Sequence, residues 1–558
     1  MPDFRRSTAV AAFAAFILAN PVMASDDDGE DSAGPYLQQA EIDLQADEYL
    51  KAVREYVKAA EISDDPDVAR LATRTAFGFG FSKEGLTAAK RWSELDESSD
   101  EALVYTAQLE LRLGDLRSAR RDFMTLLEKG RQPPDEALLS LLPVFADEDP
   151  ENVDKLMRML AKPYPDSAAA HYAVGATSLQ AGDYDTAKKE SLRASELEAD
   201  WVKPKLLYGR ALLLSGEEDK AIDYTARIIG DDADPDPDAR LELALMYMTA
   251  GRDDDALSQV NQVLLEQSSR PDALRLMAII NFRSDNLDAA EEDFQDLLSS
   301  GHFTMDAVYY LARIADVRGE NEKAIQLYSE VDDGQNAVTA QRRASAMLAF
   351  DSEKPDVALE RLDKFADEHP QYAIDMVVAR AQLLTALERY DQALTEYDRA
   401  ISYRPDDEAV SLGRAELLLR MGRLDDAIDS YRQATKRWPH SAMSLNALGY
   451  TLADRTDEYR QAEKLIRKAL EIEPDSPAII DSYGWVLYKR GHPSQALEQL
   501  KIAYDKFPDP EVAAHLVEVL ASMDRKDEAL QLLSTAEEKN PDNEFLKDVR
   551  ERFFPDAP

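Results

Sequence analysis

The chain contains no cysteine, which excludes disulfides, thiol catalysis, thiolate zinc sites and any lipid-modified cysteine. That absence does not by itself identify a compartment. Positive charge is also scarce: 65 Lys and Arg stand against 109 Asp and Glu in 558 residues, a formal charge of −44. Binding a phosphate backbone needs a basic footprint, so the charge argues against nucleic acid and none is expected as a partner. The same field opposes docking on anionic lipid. The acidity is read as the solvated outer face of a long helical array. Histidine is rare, and none of His171, His302, His369, His440, His492 and His515 forms an H-E-x-x-H pair. No G-x-S-x-G elbow and no phosphate-binding G-x-x-x-x-G-K-[ST] loop is present. Gly78 and Gly80 begin a G-x-G, but Lys83 stands where a dinucleotide fingerprint needs its third glycine. Asp234, Asp236 and Asp238 imitate a calcium loop, yet Ala239 and Leu245 replace its required glycine and bidentate glutamate, leaving a helix-capping acidic turn. No cofactor and no metal are expected, no catalytic residue is assigned, and the chain is read as not an enzyme.

Long apolar runs are missing too, so no transmembrane span is expected. One short run lies at the N-terminus. Arg5 and Arg6 precede the apolar stretch 9–19, which Asn20-Pro21 breaks, and Val22-Met23-Ala24 supplies a small-residue cleavage signal. Residues 1–24 are therefore expected to be a cleaved signal peptide. Arg5-Arg6 leaves the choice between the general and the twin-arginine export routes open. Residues 25–34 (SDDDGEDSAG) follow as an acidic, disordered linker. The protein is expected to be exported and periplasmic, with peripheral association to the cell envelope left open.

What is present is a repeat. Alanine recurs at Ala52, Ala119, Ala187, Ala221, Ala256, Ala290, Ala324, Ala358, Ala393, Ala427, Ala462, Ala496 and Ala529, with a period of about 34 residues and two gaps of about double length. Gly85 and Val153 fill those gaps in register. Four residues on there is often an aromatic, as at Tyr56, Phe123, Phe294, Tyr328, Tyr397 and Tyr431. Some twelve residues earlier sits a small residue, such as Gly175, Gly209, Ala244, Ala278, Ala312, Ala381, Ala415, Gly449 or Gly484. Two facing small positions let the helices of a hairpin approach closely, and the aromatic fills the gap against the next hairpin. Turns are marked by Gly114, Gly182, Gly216, Gly251, Gly319, Gly422 and Gly491.

In period and motif the chain resembles the tetratricopeptide repeat, a helix–turn–helix unit that must stack on its neighbours to bury its apolar face. The resemblance implies an all-α fold: an α-solenoid of tetratricopeptide helical hairpins forming a superhelix. The array is assigned to residues 35–541, roughly fifteen units with some degenerate. Residues 542–558 are assigned to a C-terminal capping helix and tail.

In such a stack the first helix of each hairpin lines the concave surface. The register places Asn446, Tyr450, Trp485, Tyr488 and Lys489 there near the C-terminus, and Tyr309, Arg313 and Arg283 further up. Tyr, Trp and Arg most often dominate binding energy. These eight residues are the candidate protein-binding set. An aromatic stripe at helical spacing also serves packing, so each position carries both readings.

A narrower resemblance rests on residues 446–456 (NALGYTLADRT) and 482–491 (SYGWVLYKRG). With the N-terminal export signal and the degenerate array, they are similar to the bacterial periplasmic repeat adaptors of carboxyl-terminal processing proteases. The family example is the outer-membrane lipoprotein binding partner of such a protease. That resemblance implies a non-catalytic adaptor presenting substrates such as peptidoglycan hydrolases to a protease that itself carries the catalytic serine and lysine. The lipoprotein members need a cysteine directly after the signal; Ala24-Ser25 has none. The alternative is a structural scaffold for an envelope assembly, in polysaccharide export or secretion, with no protease partner.

Overall fold

A computed structural model describes residues 32–130, 132–230 and 236–555. The expected signal peptide, most of the acidic linker and residues 231–235 of the polar turn lie outside the described residues. Every regular element among the described residues is a helix, most of them 12 to 14 residues long, joined in antiparallel pairs by short turns. Such helices are too short to be stable alone, so each depends on the apolar face it shares with its neighbours. The chain divides into two compact units, 1–376 and 377–558. Within each, sequential hairpins pack on one another. The fold is an all-α solenoid of helical hairpins, and no helix among the described residues is long and apolar enough to cross a membrane.

The alanine repeat marks the point of closest helix approach. All thirteen alanines, from Ala52 to Ala529, are at most 0% exposed. Val153, at 1%, holds the same register in an irregular unit. There the first helix is only Pro134–Ala137, continued by 3₁₀ turns at Leu138–Leu141 and Pro143–Phe145. The small residues opposite are equally constrained. A Cβ on Gly449 would lie 2.6 Å from Ile466 Cγ1 and 3.2 Å from the Ala462 carbonyl oxygen. One on Gly484 would lie 2.7 Å from Leu500 Cγ, and one on Gly209 2.6 Å from Thr225 Oγ1.

The aromatic four residues past the alanine reaches the next hairpin, as its size requires. Phe294 stacks on Tyr310 with ring centroids 4.8 Å apart and planes at 5°. Phe123 meets Phe145 edge-on at 5.1 Å. Tyr397 packs where Gly413 leaves room, its Oη 3.0 Å from the position a Cβ would take.

Turn geometry repeats more faithfully than turn sequence. Five residues before the alanine, the backbone is left-handed: Gly114, Gly182, Gly216, Gly251, Gly319, Gly422 and Gly491 have φ between +69° and +82°. In five hairpins lacking that glycine the same position is a carboxylate residue, Asp47, Asp285, Glu353, Glu388 or Asp524, with φ between +53° and +61°. Asp and Asn tolerate this region through local hydrogen bonding, whereas Glu has no such excuse. The helix following the turn is often capped by an aspartate: Asp115 accepts from Ser118 N at 3.2 Å, Asp183 from Thr186 N at 3.1 Å. Asp236, expected as a capping carboxylate, accepts from Asp238 N at 2.9 Å at the start of Pro237–Thr249.

At the C-terminal end, the helix Glu544–Phe553 buries Leu546 (1% exposed) and Val549 (3%). They join Leu516, Val519, Leu520 and Leu533 in one apolar cluster.

Two glycine substitutions separate packing from backbone strain. Gly449→Ala should destabilise the C-terminal unit by about 1–3 kcal/mol, because the methyl meets Ile466 and a carbonyl oxygen that cannot both retreat. Gly422→Ala, with nothing within 4 Å of its Cβ, should cost only about 1 kcal/mol through its positive φ. Urea denaturation followed by circular dichroism reads both; equal costs would remove the close approach as the explanation.

Candidate functional site

Three successive first helices of the C-terminal unit, Ala442–Arg455, Pro477–Lys489 and Pro510–Ser522, bring four of the expected residues into one seam. Tyr450 Oη donates to Glu511 Oε1 at 2.5 Å. This bond joins helices two hairpins apart, where repeat contacts normally reach only the adjacent hairpin. Trp485 Nε1–H donates to Asp454 Oδ1 at 3.1 Å. The Trp485 indole stacks on the His515 ring at 4.0 Å and 19°, and Tyr488 lies 5.4 Å away. Lys489 Nζ sits 4.5 Å from the centroid of the Trp485 ring, a cation–π contact.

His515 and Asp481 are the buried centre of this seam. His515 Nδ1 lies 2.9 and 3.2 Å from the two Asp481 oxygens, and both side chains are under a tenth exposed. Burial opposes charge on His515, but Asp481, reinforced by Glu511 and Asp454, overcomes it and raises the imidazole pKa above its ordinary value. Burial raises the Glu511 carboxyl, partly countered by the bond from Tyr450. Burial and the Glu511 carboxylate push the Tyr450 phenol up in turn. The seam is thus a buried hydrogen-bonded set of charges, which ties three hairpins together only while all its members are paired.

The expected binding residues divide by exposure. Trp485 is 4% exposed, so it forms a wall of the seam and leaves Tyr488 and Lys489, both half-buried, as the accessible members. Tyr450 is likewise occupied by Glu511. Asn446 lies one turn before Tyr450, its Oδ1 buried with no hydrogen-bond partner among the described residues. Met443, one turn earlier again, is 51% exposed.

Tyr309 and Arg313 lie together on the first helix Thr304–Val317 of the N-terminal unit, and Arg283 ends the preceding first helix, Pro271–Arg283. The Arg313 guanidinium carbon is 4.6 Å from the Phe282 ring, 5.6 Å from Tyr310 and 6.0 Å from Tyr309. Arg283 is exposed and reaches Asp253 only at 3.8 Å.

Asp454, Glu511 and His515 are the residues that sequence reasoning passed over. A signal existed for one of them: Asp481 and His515 are 34 positions apart, one repeat period, so they occupy equivalent places on adjacent first helices. The Tyr450–Glu511 bond, across two repeats, has no such one-dimensional mark.

The His515–Asp481 pair makes a pH prediction. A histidine with a raised folded pKa stabilises the fold below its unfolded value of about 6.5, and that contribution is lost as pH rises through the raised folded value. NMR of the His515 ring in the folded chain should therefore show a midpoint above 6.5, and Asp481→Asn should bring it down. A wild-type midpoint at or below 6.5 would contradict the pairing.

Comparison with known proteins agrees with this architecture. The family model described as tetratricopeptide repeat matches residues 209–273, 276–337, 343–407, 378–442, 412–477 and 484–544. Among curated proteins, the chain is similar to the TPR repeat-containing protein PA4667 of Pseudomonas aeruginosa, 35% identical over 215 residues, covering 38% of this chain and 36% of that protein. It is also similar to lipopolysaccharide assembly protein B of Escherichia coli K12, 28% identical over 177 residues, covering 31% of this chain and 42% of the relative. The chain thus spans well under half the length of these two relatives. Among solved structures, a thermophilic TPR protein of Thermus thermophilus is matched at 26% identity over 32% of this chain and 96% of its own, with a TM-score of 0.29. Yeast Tom70 is matched at 17% identity over 93% and 96%, with a TM-score of 0.30. The repeat period, the buried alanine register and the family match over most of residues 209–544 converge: the chain belongs to the tetratricopeptide repeat family.

Proposed function

We propose that this protein is a non-catalytic, exported adaptor that holds other proteins on the first-helix surface of its repeats and presents substrates, such as peptidoglycan hydrolases, to a carboxyl-terminal processing protease in the periplasm. The observation that carries the reading is the seam at Tyr450, Trp485, Tyr488 and Lys489. Aromatic rings held by buried hydrogen bonds there support a cation on a first-helix surface, the arrangement expected of a rigid recognition surface. The same residues fall in the two stretches, 446–456 and 482–491, that carry the narrower resemblance. Tetratricopeptide arrays are commonly protein-interaction scaffolds, and fold alone does not choose the partner. Residues 1–24 support export.

A second reading, a scaffold for an envelope assembly without a protease, draws support from the similarity to a lipopolysaccharide assembly protein over 177 residues.

One purification separates the two. From an envelope fraction, the tagged full chain should recover a carboxyl-terminal processing protease, and adding the chain should accelerate cleavage of a murein hydrolase by that protease in vitro. Tyr488→Ala with Lys489→Ala should reduce the acceleration by tenfold or more, about 1.4 kcal/mol, with an unchanged circular dichroism spectrum. No acceleration by the wild-type chain, together with impaired envelope assembly and normal hydrolase levels in a deletion strain, would favour the scaffold.

A further inference from the structure

The first-helix surface of the N-terminal unit carries an arginine that its own fold leaves without a carboxylate. Its neighbours are paired across hairpins. Arg210 bonds Glu242, Arg275 Nε lies 2.7 Å from Asp306, and Arg343 grips both oxygens of Asp316 at 2.7 Å. Arg313, half-buried on Thr304–Val317, has no hydrogen bond or ion pair among the described residues. The carboxylate three positions along its helix, Asp316, is occupied by Arg343 and also accepts from Tyr328 Oη at 3.2 Å.

What Arg313 has instead is a fixed aromatic setting. Phe282, Tyr310 and Tyr309 surround its guanidinium at 4.6, 5.6 and 6.0 Å. Tyr310 is itself stacked on the fully buried Phe294 at 4.8 Å, and Phe282 meets Tyr310 edge-on at 5.5 Å. The rings cover the guanidinium and restrict its rotation, while its N–H donors keep no acceptor within the protein. A guanidinium so held loses little entropy on accepting a planar, bidentate anion. Apolar surface adjoins it in sequence: Val317, one turn further along the same helix, is 63% exposed.

We propose that Arg313, cradled by Phe282, Tyr309 and Tyr310, receives an aspartate or glutamate side chain flanked by apolar residues in an extended segment of a partner protein. The carboxylate pairs with the free guanidinium edge, and the flanking apolar side chains cover the rings and Val317. This rests on the reading of the first-helix surface as a polypeptide-docking face and names the chemistry that one part of it selects. Nucleic acid phosphate is the competing anion, disfavoured by the net negative field.

The test uses the full chain and a peptide array of ten-residue sequences built from Leu, Phe and Ala around one Glu, each beside its Gln counterpart. Wild-type protein should prefer the Glu member by about tenfold. Arg313→Gln should abolish that preference while melting at the wild-type temperature, and Phe282→Leu, which keeps the charge but loosens the cradle, should weaken it. Arg252→Gln, at an arginine of the same unit that is paired with Asp255 three positions along and lies outside the binding set, should leave it unchanged. Binding of both members without preference, or a preference surviving Arg313→Gln, overturns the proposal and leaves the docking surface standing. No peptide binding at all counts against both. Salt-sensitive capture of single-stranded oligo(dT) by wild type but not by Arg313→Gln would assign the site to phosphate instead.

Discussion

Everything in this molecule depends on how closely the two helices of a hairpin approach. A glycine on the first helix faces the second-helix side chain four positions past the buried alanine, and the space between them admits no further carbon: at Gly449, Gly484 and Gly209 an added Cβ would fall within 2.7 Å of Ile466, Leu500 and Thr225. That approach sets the angle at which each hairpin leaves the next and creates the groove that Phe294 or Tyr397 fills from the neighbouring unit. Individually the helices are too short to persist, so stability is collective, and a defect at one small residue is felt by both adjoining hairpins.

The second constraint is charge. A solenoid exposes much surface for its length, and here that surface is strongly acidic. The fold manages its basic residues by pairing them across hairpins, with Arg275 to Asp306 and Arg343 to Asp316 in the N-terminal unit and Lys506 to Asp475 in the C-terminal one. Exposed pairs of this kind contribute little each, but they recur along the array. Places where the scheme departs from simple pairing are therefore informative. At Arg313 a cation lies among three rings with no hydrogen-bonded carboxylate among the described residues, and Asp316 feels its charge without being bonded to it. At His515 a buried imidazole is held by Asp481, with two further carboxylates favouring its protonated form, an arrangement that ties adjacent hairpins and costs stability if any member is lost.

Membership of the tetratricopeptide family explains the scaffold and leaves the partner to the side chains of the first-helix surface. Two different surfaces result. In the C-terminal unit, Trp485 and Tyr450 are consumed by internal bonds, and Tyr488 and Lys489 remain accessible at the edge of a rigid, buried network. In the N-terminal unit, Arg313 and Arg283 offer positive charge beside aromatic and aliphatic groups. A rigid aromatic edge and a cationic cradle suit different features of a polypeptide ligand.

The helical repeat, its period and the buried alanine register were legible in the sequence because each is a one-dimensional property: a small residue is needed at fixed intervals wherever two helices touch. The turn glycines were legible for the same reason, although the left-handed backbone also occurs at Asp285, Glu353 and Glu388, where the flanking helices impose a conformation that the residue type does not announce. The candidate surface was legible only in part. Register placed Tyr450, Trp485, Tyr309 and Arg313 on first helices, but whether such a side chain is open or engaged depends on what the neighbouring hairpins bring to it. Glu511 lies 61 positions from Tyr450, a separation set by how the helices converge in space. Asp316, three positions from Arg313, is bonded instead by Arg343 and Tyr328. Sequence alone determined where the helices touch, since contact demands small residues at regular spacing; tertiary structure alone decided which polar groups satisfy one another and which remain for a partner, since that depends on distances between hairpins that no periodicity encodes.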